Sequence, residues 1–299
     1  MTTISENPLG PAGLWTFHWE TLEASRCRDL AAELEDQGWG SIWYPETMGR
    51  DAVSTAWLLL GATSRITVAS GIASIWARNP IGTAGSHRAI EEAFPGRFIM
   101  GLGVSHAPMV EFLHKESYAK PLTAMREYLD AVDAAPYMAP KPATPPRRVL
   151  AALGDKMLAL AAEKAQGAHS YLVTPEHTAH AREVMGEGPM LVPELRAYLG
   201  DREAARQAGR ESFAIYSTLP NYLNNLKRLG FADEDFADNG SDRLIDAIVA
   251  YGSVEDIRAR LDEHLAAGAD HVAVQLINGG IGSPPIDEWR ELAPALTRA

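Results

Sequence analysis

The sequence predicts an α/β fold, a (β/α)8 TIM barrel that occupies residues 1–299 as one domain, with a helical insertion before the last strand at about 202–250. Three observations lead to this fold. Eight apolar, strand-like runs alternate with helical patterns, the chain length is usual for one barrel, and no composition break divides it. Parallel strands need helical crossovers, and eight units fit a closed barrel better than an open doubly wound sheet.

The predicted strands are short apolar runs, and the predicted helices repeat apolar residues three or four positions apart. The eight strands are expected at 13–17, 41–44, 67–72, 98–104, 148–153, 169–173, 190–198 and 271–277. The helices are expected at 20–37, 52–63, 81–94, 118–134, 156–166, 176–185, 203–229, 241–250 and 253–267. Gly38 is expected to end the first helix. The stretch from 202 to 250 is too long for one crossover, so it is read as a helical insertion.

Composition argues against several classes of partner for this chain. A net charge of −12 argues against a nucleic-acid partner, which would need a basic stripe. No apolar run has the length of a membrane span, so no membrane partner is expected. Residues 1–8 lack a basic end and an apolar run, so no signal peptide is expected. The single cysteine, Cys27, cannot form an internal disulfide and is expected in the core. These features favour a cytoplasmic protein.

The strand-like run at 98–104 carries two glycines, Gly101 and Gly103. They do not complete a dinucleotide-binding motif, because the third glycine is missing and no helix starts at once. Two readings remain open. The glycines let a flat ring approach the backbone, or they allow tight packing inside the barrel.

The segment Thr174-Pro175-Glu176-His177 predicts a helix start, with threonine as N-cap and proline in the first helical position. Free amides at such a start, placed after a barrel strand, can bind a phosphate. The alternative is a well-capped helix with no ligand.

Candidate proton-transfer groups follow short strands on the same predicted rim: His18, Glu46 and His106. Five other histidines fall in helical patterns and are expected at the surface: His87, His114, His177, His180 and His264. No histidine and carboxylate spacing suggests a metal site, and no Gly-x-Ser-x-Gly elbow suggests a serine hydrolase.

Two longer runs, 71–80 and 92–103, resemble the luciferase-like family of flavin monooxygenases and deazaflavin-dependent oxidoreductases. The resemblance continues at 154–157, 174–178, 252–268 and 271–277. The segments Trp43-Tyr44-Pro45-Glu46 and Ser105-His106-Ala107-Pro108 are most similar to the actinobacterial branch that uses coenzyme F420.

The resemblance implies coenzyme F420, with FMN as the alternative, and a homodimer. It implies a non-proline cis peptide at Gly71-Ile72 behind the cofactor ring. The remaining cofactor-binding residues that it implies lie near the ring or the phosphate (Arg78 and Asn79), along the other wall (Gly101, Gly103, Val104 and Ser105), and at the ribityl chain and phosphate (Gly154, Thr174, Glu176 and His177).

This chain departs from deazaflavin sugar-phosphate dehydrogenases at two positions. Pro45-Glu46 replaces their Asp-His pair, and His106 replaces their acidic proton donor. We therefore expect Glu46 and His106 to carry the acid–base roles, and a sugar-phosphate substrate is not supported. Tryptophans 15, 19, 43 and 76 line an apolar pocket or belong to the core.

The function expected from the sequence is hydride transfer between F420 and a small organic substrate. An FMN-dependent monooxygenase and a non-catalytic flavin-binding barrel are the alternatives.

Overall fold

A single sheet of nine strands forms the centre of the computed structural model, which describes residues 9–280 and 282–298. The strands are β1 Ala12–Trp15, β2 Ser41–Pro45, β3 Thr67–Ser74, β4 Phe98–Gly103, β5 Arg147–Ala151, β6 Gly167–Ser170, β7 Met190–Leu199, β8 Val249–Gly252 and β9 Val272–Leu276. All the strand pairs between these elements are parallel.

Helices connect the strands. They are α1 Ala24–Asp36, α2 Ala52–Leu60, α3 Pro80–Ala93, α4 Ala107–Met109, α5 Pro121–Ala134, α6 Asp155–Lys164, α7 Pro175–Met185, α8 Arg202–Phe213, α9 Pro220–Arg228, α10 Asp242–Ile248, α11 Val254–Ala266 and α12 Ile286–Leu296. Short 3-10 turns lie at His18–Glu20, Tyr216–Thr218 and Asp233–Asn239, and a π turn lies at Val110–His114. As predicted, α1 ends just before Gly38, whose φ of +95° suits glycine.

Eight of the strands close into a barrel, which confirms the predicted fold. Strands β1 to β7 pair in sequence order, and β9 closes the ring by pairing with both β7 and β1. Strand β8 is additional. Arg196 and Ala197 pair with both β8 and β9, so β8 must lie on the side of β7 away from β9, beyond the point where β6 ends.

The insertion differs from its prediction in two places. The expected helix at 203–229 is two helices, α8 and α9, because Pro220 starts a new helix after a 3-10 turn. Residues 249 and 250, expected to be helical, belong to β8. A separate apolar cluster joins Phe213, Leu226 and Leu244 of the insertion to Leu172 and Ile277, which follow β6 and β9. The insertion therefore sits on the carboxyl ends of these strands.

The amino-terminal half of the barrel is filled by side chains that interlock. Trp43 stacks on His169 with ring centroids 5.0 Å apart, and its indole nitrogen donates to Ser41 Oγ over 2.9 Å. Ser41 Oγ lies 2.8 Å from Nε2 of His271, whose Nδ1 bonds the Gly10 carbonyl. Because the carbonyl can only accept, Nδ1 carries the proton and Nε2 accepts from Ser41.

Other sequence predictions have mixed outcomes. Cys27 is fully buried, as expected. In the part of the chain that the structure describes, no helix has the length and apolar character to cross a membrane. Residues 1–8, on which the signal-peptide prediction rests, lie outside the described residues.

The prediction that His87, His177 and His264 lie at the surface is wrong, since all three are buried. A helical pattern shows that a residue is on a helix without showing which face meets the barrel. Burial lowers the pKa of His87 and of His264 to about 3, and the pKa of His169 and of His271 to about 4.

These four histidines should make the protein sensitive to mild acid. Between about pH 6.5 and pH 4 the unfolded chain binds their protons and the folded chain does not. The free energy of unfolding should therefore fall with falling pH, by about 1.4 kcal/mol per pH unit for each histidine. Denaturant unfolding at several pH values measures this slope. His264→Gln should reduce it, and an unchanged slope in this variant would contradict the assignment.

Candidate active site

The sequence-predicted site residues collect near the carboxyl ends of β2 to β6, at one mouth of the barrel. This is the end at which barrel enzymes place their chemistry, because the loops that follow the strands converge there. Glu46 follows β2, Arg78 and Asn79 precede α3, and His106 follows β4. Gly154 and Thr174 are the N-caps of α6 and α7.

Glu46 is held in a buried ion pair with Arg78. Its carboxylate accepts hydrogen bonds from both terminal nitrogens of Arg78, and from the backbone amides of Ala52 at 3.0 Å and Ser74 at 2.9 Å. The Glu46 and Arg78 side chains are 9% and 11% exposed. A carboxylate has about four acceptor positions. Glu46 is thus engaged in joining β2 to the β3–α3 connection, and its acid–base role stays a prediction.

Asp51 is the second carboxylate on Arg78, at 2.7 Å, and it also caps α2 through Ser54. Burial would raise the pKa of Asp51, but the hydrogen bonds from Arg78 and Ser54 outweigh burial and lower it. The same two carboxylates raise the pKa of Arg78 against the effect of its burial. The guanidinium therefore stays charged.

Strand β3 bulges at the position where the resemblance implies a cis peptide. Its register shifts against β2 at Pro45 and against β4 between Ala69 and Ala73. However, none of the described peptide bonds is cis, so the expected cis bond at Gly71-Ile72 is wrong. The extra residue in β3 is accommodated by the bulge with a trans backbone.

Close contacts inside the barrel explain three glycines. A Cβ on Gly101 would overlap the Ser70 carbonyl oxygen, and a Cβ on Gly103 would lie 2.7 Å from Ile72 Cδ1. A Cβ on Gly71 would lie 2.7 Å from Trp15 Nε1, a buried donor that has no hydrogen-bond partner among the described residues. Tight packing inside the barrel explains why glycine stands at positions 101 and 103. Contact of these two glycines with a cofactor ring stays a prediction.

His106 lies where the barrel meets the insertion. Ser105, in the left-handed region with φ +55°, directs the chain so that the His106 imidazole packs 5.5 Å from the Tyr222 ring. Burial lowers the pKa of His106, and a hydrogen bond with Asn221 of α9 partly opposes this effect. A neutral imidazole has one acceptor nitrogen and one donor nitrogen, so it can accept a proton from a bound group.

Two helix starts meet beside the mouth and form what we call the anion cradle: the first turns of α6 and α7 with Asn225 and Arg228 of α9. His177 Nε2 donates to the Leu153 carbonyl over 2.9 Å, which ties the start of α7 to the chain before α6. The Thr174 side chain does not cap α7, and in the first turn of that helix the amide of Glu176 donates to its own carboxylate.

The insertion contributes the charge of the anion cradle. Arg228 Nη2 would lie 3.7 Å from a Cβ on Gly154, and it donates to Asn225 Oδ1 over 2.9 Å. This bond leaves Asn225 Nδ2 as a buried donor with no partner among the described residues. Helix amides, a guanidinium and an orphaned amide donor together suit a phosphate, although Asp155 and Glu176 lie in the same first turns.

No pattern in the sequence pointed to Asn225 or Arg228. They lie about 70 residues beyond Gly154, inside a segment read only as helical, and packing alone brings them to the anion cradle. The same is true of three tyrosines at the mouth, Tyr171, Tyr216 and Tyr222, whose rings form one continuous group. Within the described residues, no three histidine, cysteine or acidic side chains group as metal ligands.

Replacing Glu46 tests its structural role. Glu46→Gln removes the more buried of the two carboxylate charges that Arg78 faces and should lower the free energy of unfolding by roughly 3 kcal/mol, since a buried ion pair loses one partner. The matched control is Asp51→Asn, which keeps a good N-cap in a half-exposed position and should cost less than about 1 kcal/mol. Denaturant unfolding measures both variants, and equal midpoints would show that Glu46 does not hold the mouth together.

Comparison with known proteins places this geometry in a family. A protein of Mycobacterium tuberculosis that carries the provisional name coenzyme F420-dependent oxidoreductase is 25% identical, covering 88% of this chain and 94% of its own length. An F420-dependent secondary alcohol dehydrogenase, solved with an F420–acetone adduct, matches at a TM-score of 0.75 and 15% identity, covering 96% of this chain and 99% of its own.

The FMN-bound oxygenating constituent of 3,6-diketocamphane monooxygenase from Pseudomonas putida matches at a TM-score of 0.74 and 13% identity, covering 96% of this chain and 98% of its own. At such identities the two structures show the shared fold. The family model described as luciferase-like monooxygenase matches residues 13–271. The chain therefore belongs to the luciferase-like monooxygenase family.

Proposed function

We propose that this protein is an oxidoreductase that transfers a hydride between coenzyme F420 and a small organic substrate at the barrel mouth. The observation that carries the proposal is the anion cradle beside the mouth, which supplies helix amides, Arg228 and the orphaned Asn225 Nδ2 for a phosphate. The name of the mycobacterial relative and the F420–acetone adduct of the secondary alcohol dehydrogenase support the deazaflavin.

A flavin is the second candidate cofactor. The diketocamphane monooxygenase neighbour is in complex with FMN, and its fold covers the same share of this chain. Both cofactors carry a ribityl phosphate, so the anion cradle suits either of them. An FMN-dependent monooxygenase is therefore the alternative function.

The residues of the mouth have separate roles in binding and catalysis. When bound, the cofactor supplies the hydride chemistry. The anion cradle would hold its phosphate, and the buried Trp15 Nε1 beside Gly71 offers a donor to an acceptor atom near the ring. The aromatic side chains of the mouth exclude water from the reacting region. His106 would accept or return the substrate proton at its ring nitrogen.

The neutral form of His106, which its burial favours, can serve either direction of the reaction. A neutral imidazole at pH 7 is ready to accept a proton, as the oxidation of an alcohol requires. The reverse reaction returns that proton from the same nitrogen.

A homodimer, implied by the family resemblance, is part of this proposal, and light scattering coupled to gel filtration measures it.

Cofactor titration followed by absorbance tests the cofactor and the anion cradle. We expect binding of F420, and Arg228→Ala should weaken it by about tenfold or more, because a charge-assisted hydrogen bond is lost. Lys227→Ala is the matched control, since it removes the same charge from the neighbouring position of α9, where Lys227 pairs with Asp233. Binding of FMN with none of F420 would overturn the cofactor assignment.

His106→Gln tests the proton-transfer role. With F420 and a panel of secondary alcohols and ketones, we expect kcat to fall by about a hundredfold or more while F420 affinity is kept. The limb of the pH–rate profile that belongs to the imidazole should disappear with it. Unchanged turnover in the variant would remove His106 from the mechanism. Cofactor binding without turnover of any substrate in the panel would favour the non-catalytic flavin-binding barrel.

A further inference from the structure

We propose that the inserted segment selects the substrate: Tyr216 and Tyr222, with Tyr171 of the barrel, form an aromatic wall for a flat, uncharged molecule that carries a hydroxyl or amine, from which Tyr216 accepts a hydrogen bond. This inference rests on the proposed function and names the substrate class of the same site. It follows from the ring contacts, the pairing of the charges around the rings, and the direction of one hydrogen bond.

The rings form a continuous group from the barrel to His106. Tyr216 and Tyr222 meet edge to face with centroids 5.0 Å apart, and Tyr171 lies 5.5 Å from Tyr216 and 6.2 Å from Tyr222. Trp15 lies 5.0 Å from Tyr171, and His106 lies 5.5 Å from Tyr222. Tyr222 therefore contacts both Tyr216 and the candidate proton-transfer group. Aromatic faces of this kind bind flat apolar ligands.

The charges behind this aromatic wall are compensated within the chain. Arg196 lies 5.2 Å from the centroids of both Tyr171 and Tyr216, and it is paired with Glu194 at 3.3 Å. Both side chains are only 1% exposed. Glu194 also accepts the Leu172 amide at 2.9 Å, and Arg196 also donates to Ser212 at 3.2 Å.

This compensation disfavours a charged substrate at the wall. An anionic group placed against the rings would lose its hydration without gaining a free cation, because Arg196 already faces Glu194. On the adjacent side of the mouth, Arg78 is likewise taken by Glu46 and Asp51. Arg228 belongs to the anion cradle. The wall therefore suits a neutral molecule.

The hydroxyl of Tyr216 has a defined direction. Tyr171 Oη receives a hydrogen bond from Arg196 Nη2 at 2.7 Å and donates its single proton to Gln275 Oε1 at 2.8 Å. The 3.0 Å contact between the two phenol oxygens must then be donated by Tyr216. Tyr216 Oη also receives a hydrogen bond from Arg196, so it keeps one lone pair with which to accept from a substrate hydroxyl or amine.

Calorimetric titration of the cofactor-loaded protein with three matched probes tests the proposal. The probes are 2-naphthol, 2-methoxynaphthalene and 2-naphthoate, which are respectively a neutral donor, a neutral non-donor and an anion. We expect 2-naphthol to bind about tenfold more tightly than 2-naphthoate. Tyr216→Phe should weaken 2-naphthol by about fivefold and leave 2-methoxynaphthalene unchanged, because only the acceptor is lost.

Two further variants keep the test decisive. Tyr222→Leu should weaken both neutral probes equally, since it removes a ring and keeps apolar volume. Tyr198→Phe, which removes a partly buried hydroxyl from β7, should change none of the affinities. Binding of 2-naphthoate as tight as that of 2-naphthol, or an equal loss of both neutral probes in Tyr216→Phe, would overturn the proposal.

The same titrations on the cofactor-free protein separate the two proposals. If neither F420 nor FMN binds but the probe preferences hold, the proposed function fails and the aromatic wall stands. If F420 binds and Tyr216→Phe leaves its affinity unchanged while the probe preferences are absent, the substrate class fails and the proposed function stands.

Discussion

The whole arrangement depends on the pairing of one strand, β7. Its first residues hydrogen-bond to β6, and its later residues pair with β9 on one side and with β8 on the other. The pairs with β6 and β9 close the barrel, which brings the carboxyl ends of the strands to one rim. The pair with β8 anchors the far end of the insertion above that rim. A single strand therefore closes the barrel and also holds the insertion that completes the barrel mouth.

Charge compensation is the second constraint at the mouth. An isolated charge in a barrel interior would cost several kcal/mol, so each buried carboxylate there has an arginine and backbone amides as partners. Glu194 has Arg196 and the Leu172 amide, and Glu46 has Arg78 and two amides. The polarity left for a ligand comes from neutral groups, helix amides and Arg228. This is why the candidate chemistry centres on His106, whose burial keeps its pKa low.

The residues that the sequence predicts for the site lie along one rim of the barrel, although the burial and the partners of several of them differ from the prediction. The residues around β2 to β6 were found because short apolar runs that end in small or polar residues mark the rim of a barrel. The ion pair between Glu46 and Arg78 cannot be predicted from the sequence, because the two residues lie 32 positions apart. The surface positions predicted for His87, His177 and His264 are wrong, because helical spacing does not tell which face of a helix packs on the barrel.

The sequence by itself determined the fold, the order of the eight strands that close the barrel and the rim that carries polar residues, because the periods of strands and helices are local properties of the chain. Only the tertiary structure decided what fills that rim. Tyr216 reaches Tyr171 across 45 positions, and Arg228 reaches Gly154 from another element. Contacts at such separations depend on how the insertion packs against β6 and β9, and no local pattern encodes that packing.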